Sequence, residues 1–171
     1  MNALSEEDRT FAQKASMSNQ MEVTLGNMAE DKARNDEVKQ FAEQLVRDHE
    51  AANRELSTLL GGGDATTAQQ PGSGTGAMTQ PDATRERAAG GENAQMHQEM
   101  EQTQQKLEKA SGAAFDRAYL EEMVKHHQKD VQDFERAAQS DNAQVRSFAE
   151  RTLPTLREHL QKAHQLQLSI R

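Results

Sequence analysis

Residues 38–43 read Val-Lys-Gln-Phe-Ala-Glu, and residues 145–150 read Val-Arg-Ser-Phe-Ala-Glu. Asp8-Arg9-Thr10-Phe11 answers in the same way to Asp116-Arg117-Ala118-Tyr119. The offsets are 107 and 108 residues, so two stretches of the chain follow one plan. Within each stretch the apolar residues recur at three- and four-residue spacing, the period of an amphipathic helix. Each copy reads as helix, turn, helix. Two αα-hairpins joined by a long crossover predict an all-α, ferritin-like four-helix bundle, with one hairpin per protomer in a dimer as the alternative. The repeat further suggests that the two hairpins run parallel.

Working outward from the repeat, helices are expected over about 5–31, 36–60, 92–110, 113–139 and 142–168, in a single domain spanning 1–171. Ser5 and the acidic residues behind it mark the first helix start. Gly61 is a natural stop for the second. Residues 61–91 hold eight of the ten glycines and two of the three prolines, which reads as a flexible linker. The short helix after it is polar, with Met96, Met100 and Leu107 on one side. Pro154 falls inside the last helix and should kink it.

Composition narrows the functional classes. Hydrophobic residues make up 34% of the 171 and aromatics 4%, enough for a core only if the helices share one seam. The net charge of −8 and the lack of a basic patch argue against nucleic acid as a partner. No cysteine is present, which excludes disulfides, thiolate chemistry and Cys-ligated zinc. No apolar run approaches the roughly 18 residues of a membrane span, and the opening MNALSEEDRT does not read as a signal peptide. Neither a nucleophile, a phosphate loop nor an oxyanion arrangement is visible, so no catalytic residue is assigned.

The inward stripes carry four residues that do not belong in an apolar seam. Glu22 falls in the series Phe11, Ala15, Ser18, Leu25, Ala29, and His49 falls between Leu45 and Ala52. His127 lies roughly 20° from the centre of the stripe Phe115, Tyr119, Met123, Val131, Phe134, whereas its neighbour His126 lies roughly 80° away. His159 belongs to the series Val145, Phe148, Leu156, Ala163. Measured from the hairpin turns, Glu22, His127 and His49 come out at about 16, 20 and 21 Å, and His159 about a turn higher. An uncompensated charge in such a seam costs several kcal/mol, so the four are read as partners. They would hold a divalent metal, zinc, copper or iron, or form a buried polar network that only sets helix register. Met123, His126 and Asp130 form a possible second set of ligands. His97 and His164 read as surface residues.

The stretches DRTFAQKA, MEVTLGNMAEDKA, VKQFAEQLVRDHEAAN and AAFDRAYLEEMVKHHQKDVQDFERAAQ, with LPTLREH at 153–159, resemble the bacterial family known as domain of unknown function 4142. The resemblance covers nearly all of the chain except the linker. It implies a ferritin-like fold and an exported protein of the periplasm or cell envelope, with polar positions at Glu22, His49, His127 and His159. It implies no settled activity. EEMVKHHQKD at 121–130 is also similar to domain of unknown function 305, whose Met-x-x-His-His segment implies metal or copper handling. The chain departs from di-iron ferritins, because the Glu-x-x-His signature is missing: Val46, Val124 and Leu156 stand three residues before the histidines. The reading is thus an envelope protein holding a divalent metal in the bundle core. Its alternative is a non-catalytic structural or stress-related interaction module whose Glu/His network fixes packing. A protein partner and an oligomeric state are not legible.

Overall fold

A computed structural model describes residues 4–61 and 83–170, with side chains in the second stretch described from residue 94 onward. The described residues form five helices: α1 (Glu6–Lys32), α2 (Asp36–Leu59), α3 (Ala83–Lys109), α4 (Gly112–Ala137) and α5 (Ala143–Ser169). Local chemistry sets the ends. The Ser5 hydroxyl accepts from the Asp8 amide, and Asn35 and Asn142 each accept two amides at the heads of α2 and α5, satisfying donors that have no helical partner. Gly61 stops α2 at φ 94, a conformation that glycine adopts without a Cβ penalty. The α3 helix begins at Ala83, inside the stretch read as linker. Alanine, arginine and glutamate dominate 83–89, and all three favour helix. The remainder of that stretch, 62–82, lies outside the described residues.

The architecture is a ferritin-like four-helix bundle of two hairpins, α1–α2 and α4–α5, with α1 packed on α4 and α2 on α5. The hairpins do not run parallel, contrary to the expectation drawn from the repeat; their turns lie at opposite ends. At one end the Asp116 carboxylate accepts the amides of Arg34 and Asn35 at 2.9 and 3.1 Å, in the α1–α2 turn. At the other end Asp8 accepts the Ser140 hydroxyl at 2.6 Å, in the α4–α5 turn. The reason is the crossover. With 27 residues, α3 is about 40 Å long, as long as α1, and carries the chain back to the α1–α2 turn before α4 begins. There the Lys32 ammonium donates to the carbonyls of Leu107 and Glu108 at 2.8 and 2.6 Å.

The repeat therefore has a structural meaning: the aspartate that heads each copy holds the turn of the other. Replacing Asp116 with alanine leaves two turn amides without their acceptor, a loss of about 1–3 kcal/mol. For a chain of this size that is a fall in melting temperature of about 2–4 °C per kcal/mol, measurable by thermal denaturation. Wild-type stability in Asp116→Ala would contradict this role.

The core is split. One apolar cluster, near the α1–α2 turn, includes Leu25, Phe41, Leu45, Phe115, Tyr119 and Leu166. The other, near the α4–α5 turn, includes Ala12, Leu56, Phe134, Val145, Phe148 and Leu156. Close helix approach supports this packing: a Cβ added at Gly26 would lie 2.6 Å from Val46 Cγ2 on α2. Between the two clusters sits a polar layer.

Candidate metal centre

Each of the four stripe residues lies close to the midpoint of its helix. This is why they meet at one level whichever way the hairpins run. The structure buries all of them: Glu22 and His127 are fully enclosed, and His49 and His159 are nearly so. His159, placed a turn too high by the rise count, comes level because Cα–Cβ bonds tilt toward the helix N-terminus. His127 therefore leans away from the α4–α5 turn and His159 leans toward it. Their rings end with centroids 5.3 Å apart. Ligand nitrogens of His49, His127 and His159 all lie within 4.8 Å of one another, and Glu22 borders the group. The carboxylate Oε2 is 2.6 Å from His49 Nε2, and Oε1 is 3.3 Å from His127 Nδ1.

The hydrogen bonds outside the cluster assign the protons inside it. His127 Nδ1 faces two acceptors, the Met123 carbonyl at 2.9 Å and Glu22 Oε1, so it carries the proton and Nε2 keeps a lone pair. His159 Nε2 lies 2.9 Å from Asp48 Oδ2; it donates to that carboxylate and leaves Nδ1 as a lone pair. These two lone pairs point at one another across 3.3 Å. His49 Nδ1 donates to Asn19 Oδ1 at 2.8 Å, which turns Nε2 inward as well. His127 and His159 are thus each held by an outer partner through one nitrogen and offer the other to a common point, the arrangement that orients histidine ligands in metal sites; His49 turns Nε2 toward the same point, where it meets Glu22 Oε2.

Electrostatics point the same way. Burial, the largest influence, pulls the His127 pKa down to about 4, with the neighbouring His49 and His159 adding to the fall and Glu22 opposing it. Burial also lowers His159, against the pull of Asp48. Both rings are therefore neutral at pH 7, the form that ligates. For Glu22, burial pushes upward but His127 and His49 outweigh it and hold the carboxyl below its ordinary range. Burial would lower His49, and Glu22 reverses this, so His49 is raised. Glu22 and His49 thus form a short buried ion pair, off the ideal hydrogen-bond angle.

The donor set, three imidazoles with a carboxylate beside them, could hold a divalent ion of the zinc or copper type. Two nitrogens at tetrahedral positions about 2.05 Å from zinc would stand about 3.3 Å apart, the separation between His127 Nε2 and His159 Nδ1. Asp130, the repeat counterpart of Glu22, lies beside the layer. Both of its oxygens are 3.1 Å from the Ser18 hydroxyl. Burial, then the charge on Glu22, pushes its carboxyl up to about 8, so it is protonated at neutral pH. Asp130 and Ser18 end a cleft of about 840 Å³ between α1 and α4, walled by Phe11 and Phe134.

The residues of the second ligand set have separate partners. Met123 is enclosed in the apolar cluster near the α1–α2 turn, His126 Nε2 is 3.7 Å from Glu122 Oε2, and Asp130 takes its bond from Ser18. His97 and His164 are exposed. The sequence assigned no role to the outer partners Asn19 and Asp48, although Asp48-His49 is among the residues that carry the family resemblance. Asn19 had one signal, since the repeat offset sets it opposite His127.

Fold and site together define a class: a ferritin-like helical bundle with a layer of buried histidines that could hold a metal. The chain belongs to the family described as "Domain of unknown function (DUF4142)", whose profile matches residues 1–166. Comparison with curated proteins and with solved structures returned no match. No helix among the described residues is long and apolar enough to cross a membrane.

Proposed function

We propose that this protein binds one divalent transition-metal ion, zinc or copper(II) in character, through His49, His127, His159 and Glu22. One observation carries the reading. His127 Nε2 and His159 Nδ1 face each other as lone pairs at 3.3 Å, with every proton on those rings already committed to Met123 or Asp48. Neutral imidazoles repel in that pose, and a cation between them removes the repulsion.

A second reading has its own observation. Glu22 and the raised His49 are a buried pair of opposite charge, and such a pair can serve only to fix helix packing. The facing lone pairs of His127 and His159 weigh against a self-sufficient network. Zinc titration by calorimetry, on tag-free protein stripped with a chelator, separates the two. The metal reading expects one equivalent bound and a higher melting temperature. The packing reading expects no heat and an unchanged melting temperature. A location in the bacterial envelope belongs to the same proposal and rests on the family resemblance; fractionation of the native cells tests it.

A further inference from the structure

Of the three histidines, one is held differently. The outer partners of His49 and His127 are themselves interior: Asn19 is 3% exposed, and the Met123 carbonyl belongs to α4's own ladder. The outer partner of His159 is Asp48, whose side chain is 37% exposed while His159 is 1% exposed. Among the described residues, the 2.9 Å bond from His159 Nε2 to Asp48 Oδ2 is thus the one direct bond from a ring of the layer to an exposed side chain, across the seam of α2 and α5. Earlier on α5, Pro154 has no amide hydrogen to give the carbonyl of Glu150, so this helix lacks one ladder bond just before His159. No other ring of the centre has both a solvent-facing partner and a weakened backbone.

On the reading that the layer binds a metal, we propose that the Asp48–His159 pair is the gate through which the ion exchanges. The ring swings on breaking one hydrogen bond, opens the α2–α5 seam, and its Nδ1 returns as the last ligand to close. The larger cleft between α1 and α4 is the rival route. It ends on Asp130 and Ser18, and none of the three inward nitrogens belongs to a ring whose outer partner lines it. The Asp48 carboxylate has a second consequence: with Glu22 it supplies two negative charges beside a divalent ion, so the closed site is electrically balanced.

The gate is tested by zinc kinetics on the full chain, with loading followed by loss of zinc from a coloured indicator and release followed with excess chelator. Asp48→Ala removes the latch and is expected to speed loading and release together, by roughly ten- to a hundred-fold, the factor set by one charge-assisted hydrogen bond. The dissociation constant also weakens, as expected on losing the outer partner of a ligating histidine, so the faster loading is what marks the gate. Asp48→Asn keeps an oxygen acceptor for His159 without its charge and is expected to fall between wild type and Asp48→Ala in both rates. Ser18→Ala, at the other cleft, is expected to leave both unchanged. Asp48→Ala with faster release and unaltered loading would overturn the gate and leave Asp48 as a support for affinity alone. Faster exchange in Ser18→Ala would overturn it in favour of the α1–α4 route. Equal rates in all variants would refute the gate while leaving the metal centre standing, whereas a wild-type chain that takes up no zinc would refute the centre and the gate together.

Discussion

His127→Ala is expected to lower zinc affinity by more than a hundred-fold, while His126→Ala, its neighbour in sequence, leaves affinity unchanged. Outer partners of metal-bound histidines are worth about 10–100-fold, and loss of a ligand costs more than loss of its support. The two histidines differ in their surroundings: His127 is fully enclosed at the meeting point of four helices, whereas His126 lies beside Glu122 at 3.7 Å on the flank of α4. The effect also appears in stability. Zinc at a hundred times its dissociation constant stabilises a one-site protein by about 2.7 kcal/mol. That is a rise of several degrees in the wild type, and it disappears in His127→Ala. Calorimetry and thermal denaturation with and without zinc measure both quantities. Equal affinities in the two variants would remove His127 from the centre.

The second large effect is a stability profile in pH that Asp130 shapes. In the metal-free protein, the His127 pKa falls to about 4 on folding from an ordinary value near 6.5. Between those values the unfolded chain binds the extra proton, so its contribution is present above pH 6.5 and lost as pH falls toward 4. Asp130 has the opposite sign. Its pKa rises from 3.8 to about 8, so its contribution is present below pH 3.8 and lost as pH rises toward 8. His49, also raised, adds to the loss above 6.5. The slopes from His127 and Asp130 oppose each other from pH 4 to 6.5, and above 6.5 only the falling ones remain. Asp130→Asn is therefore expected to steepen the acid loss by about 1.4 kcal/mol per pH unit between 6.5 and 4. It also flattens the loss between 6.5 and 8. Denaturant titrations at intervals across pH 4–8 measure the profile; parallel curves for wild type and Asp130→Asn would show that Asp130 does not hold its proton in the folded state.

Much of this was legible in the sequence because helical periodicity is a local signal. The stripes of α1, α2, α4 and α5 picked out Glu22, His49, His127 and His159, and the structure brings those side chains together. The sense of the hairpins was not legible. A rise counted from each turn says nothing about which end of the bundle that turn occupies, and the crossover that decides it lay partly in a stretch whose glycines masked helix formers at 83–89. A sign was present all the same: Asp8 and Asp116 head the two copies, and such aspartates can cap a turn only if that turn lies at their own end. The level of the four residues survived the error because each is near the middle of its helix. The outer partners were harder to read. Asn19 and Asp48 lie off the stripes, and their role depends on which ring nitrogen each one faces, a matter of side-chain geometry that spacing does not carry. The His159 height failed for a related reason, since rise along an axis ignores the lean of side chains toward one another.

The most direct test of the centre is an anomalous difference map, recorded at the zinc absorption edge from crystals of zinc-loaded protein. One strong peak is expected in the layer between the two apolar clusters, bound by His49 Nε2, His127 Nε2, His159 Nδ1 and a Glu22 oxygen. A peak at any other set of residues, or a layer with no peak in protein shown to carry zinc, would contradict that assignment.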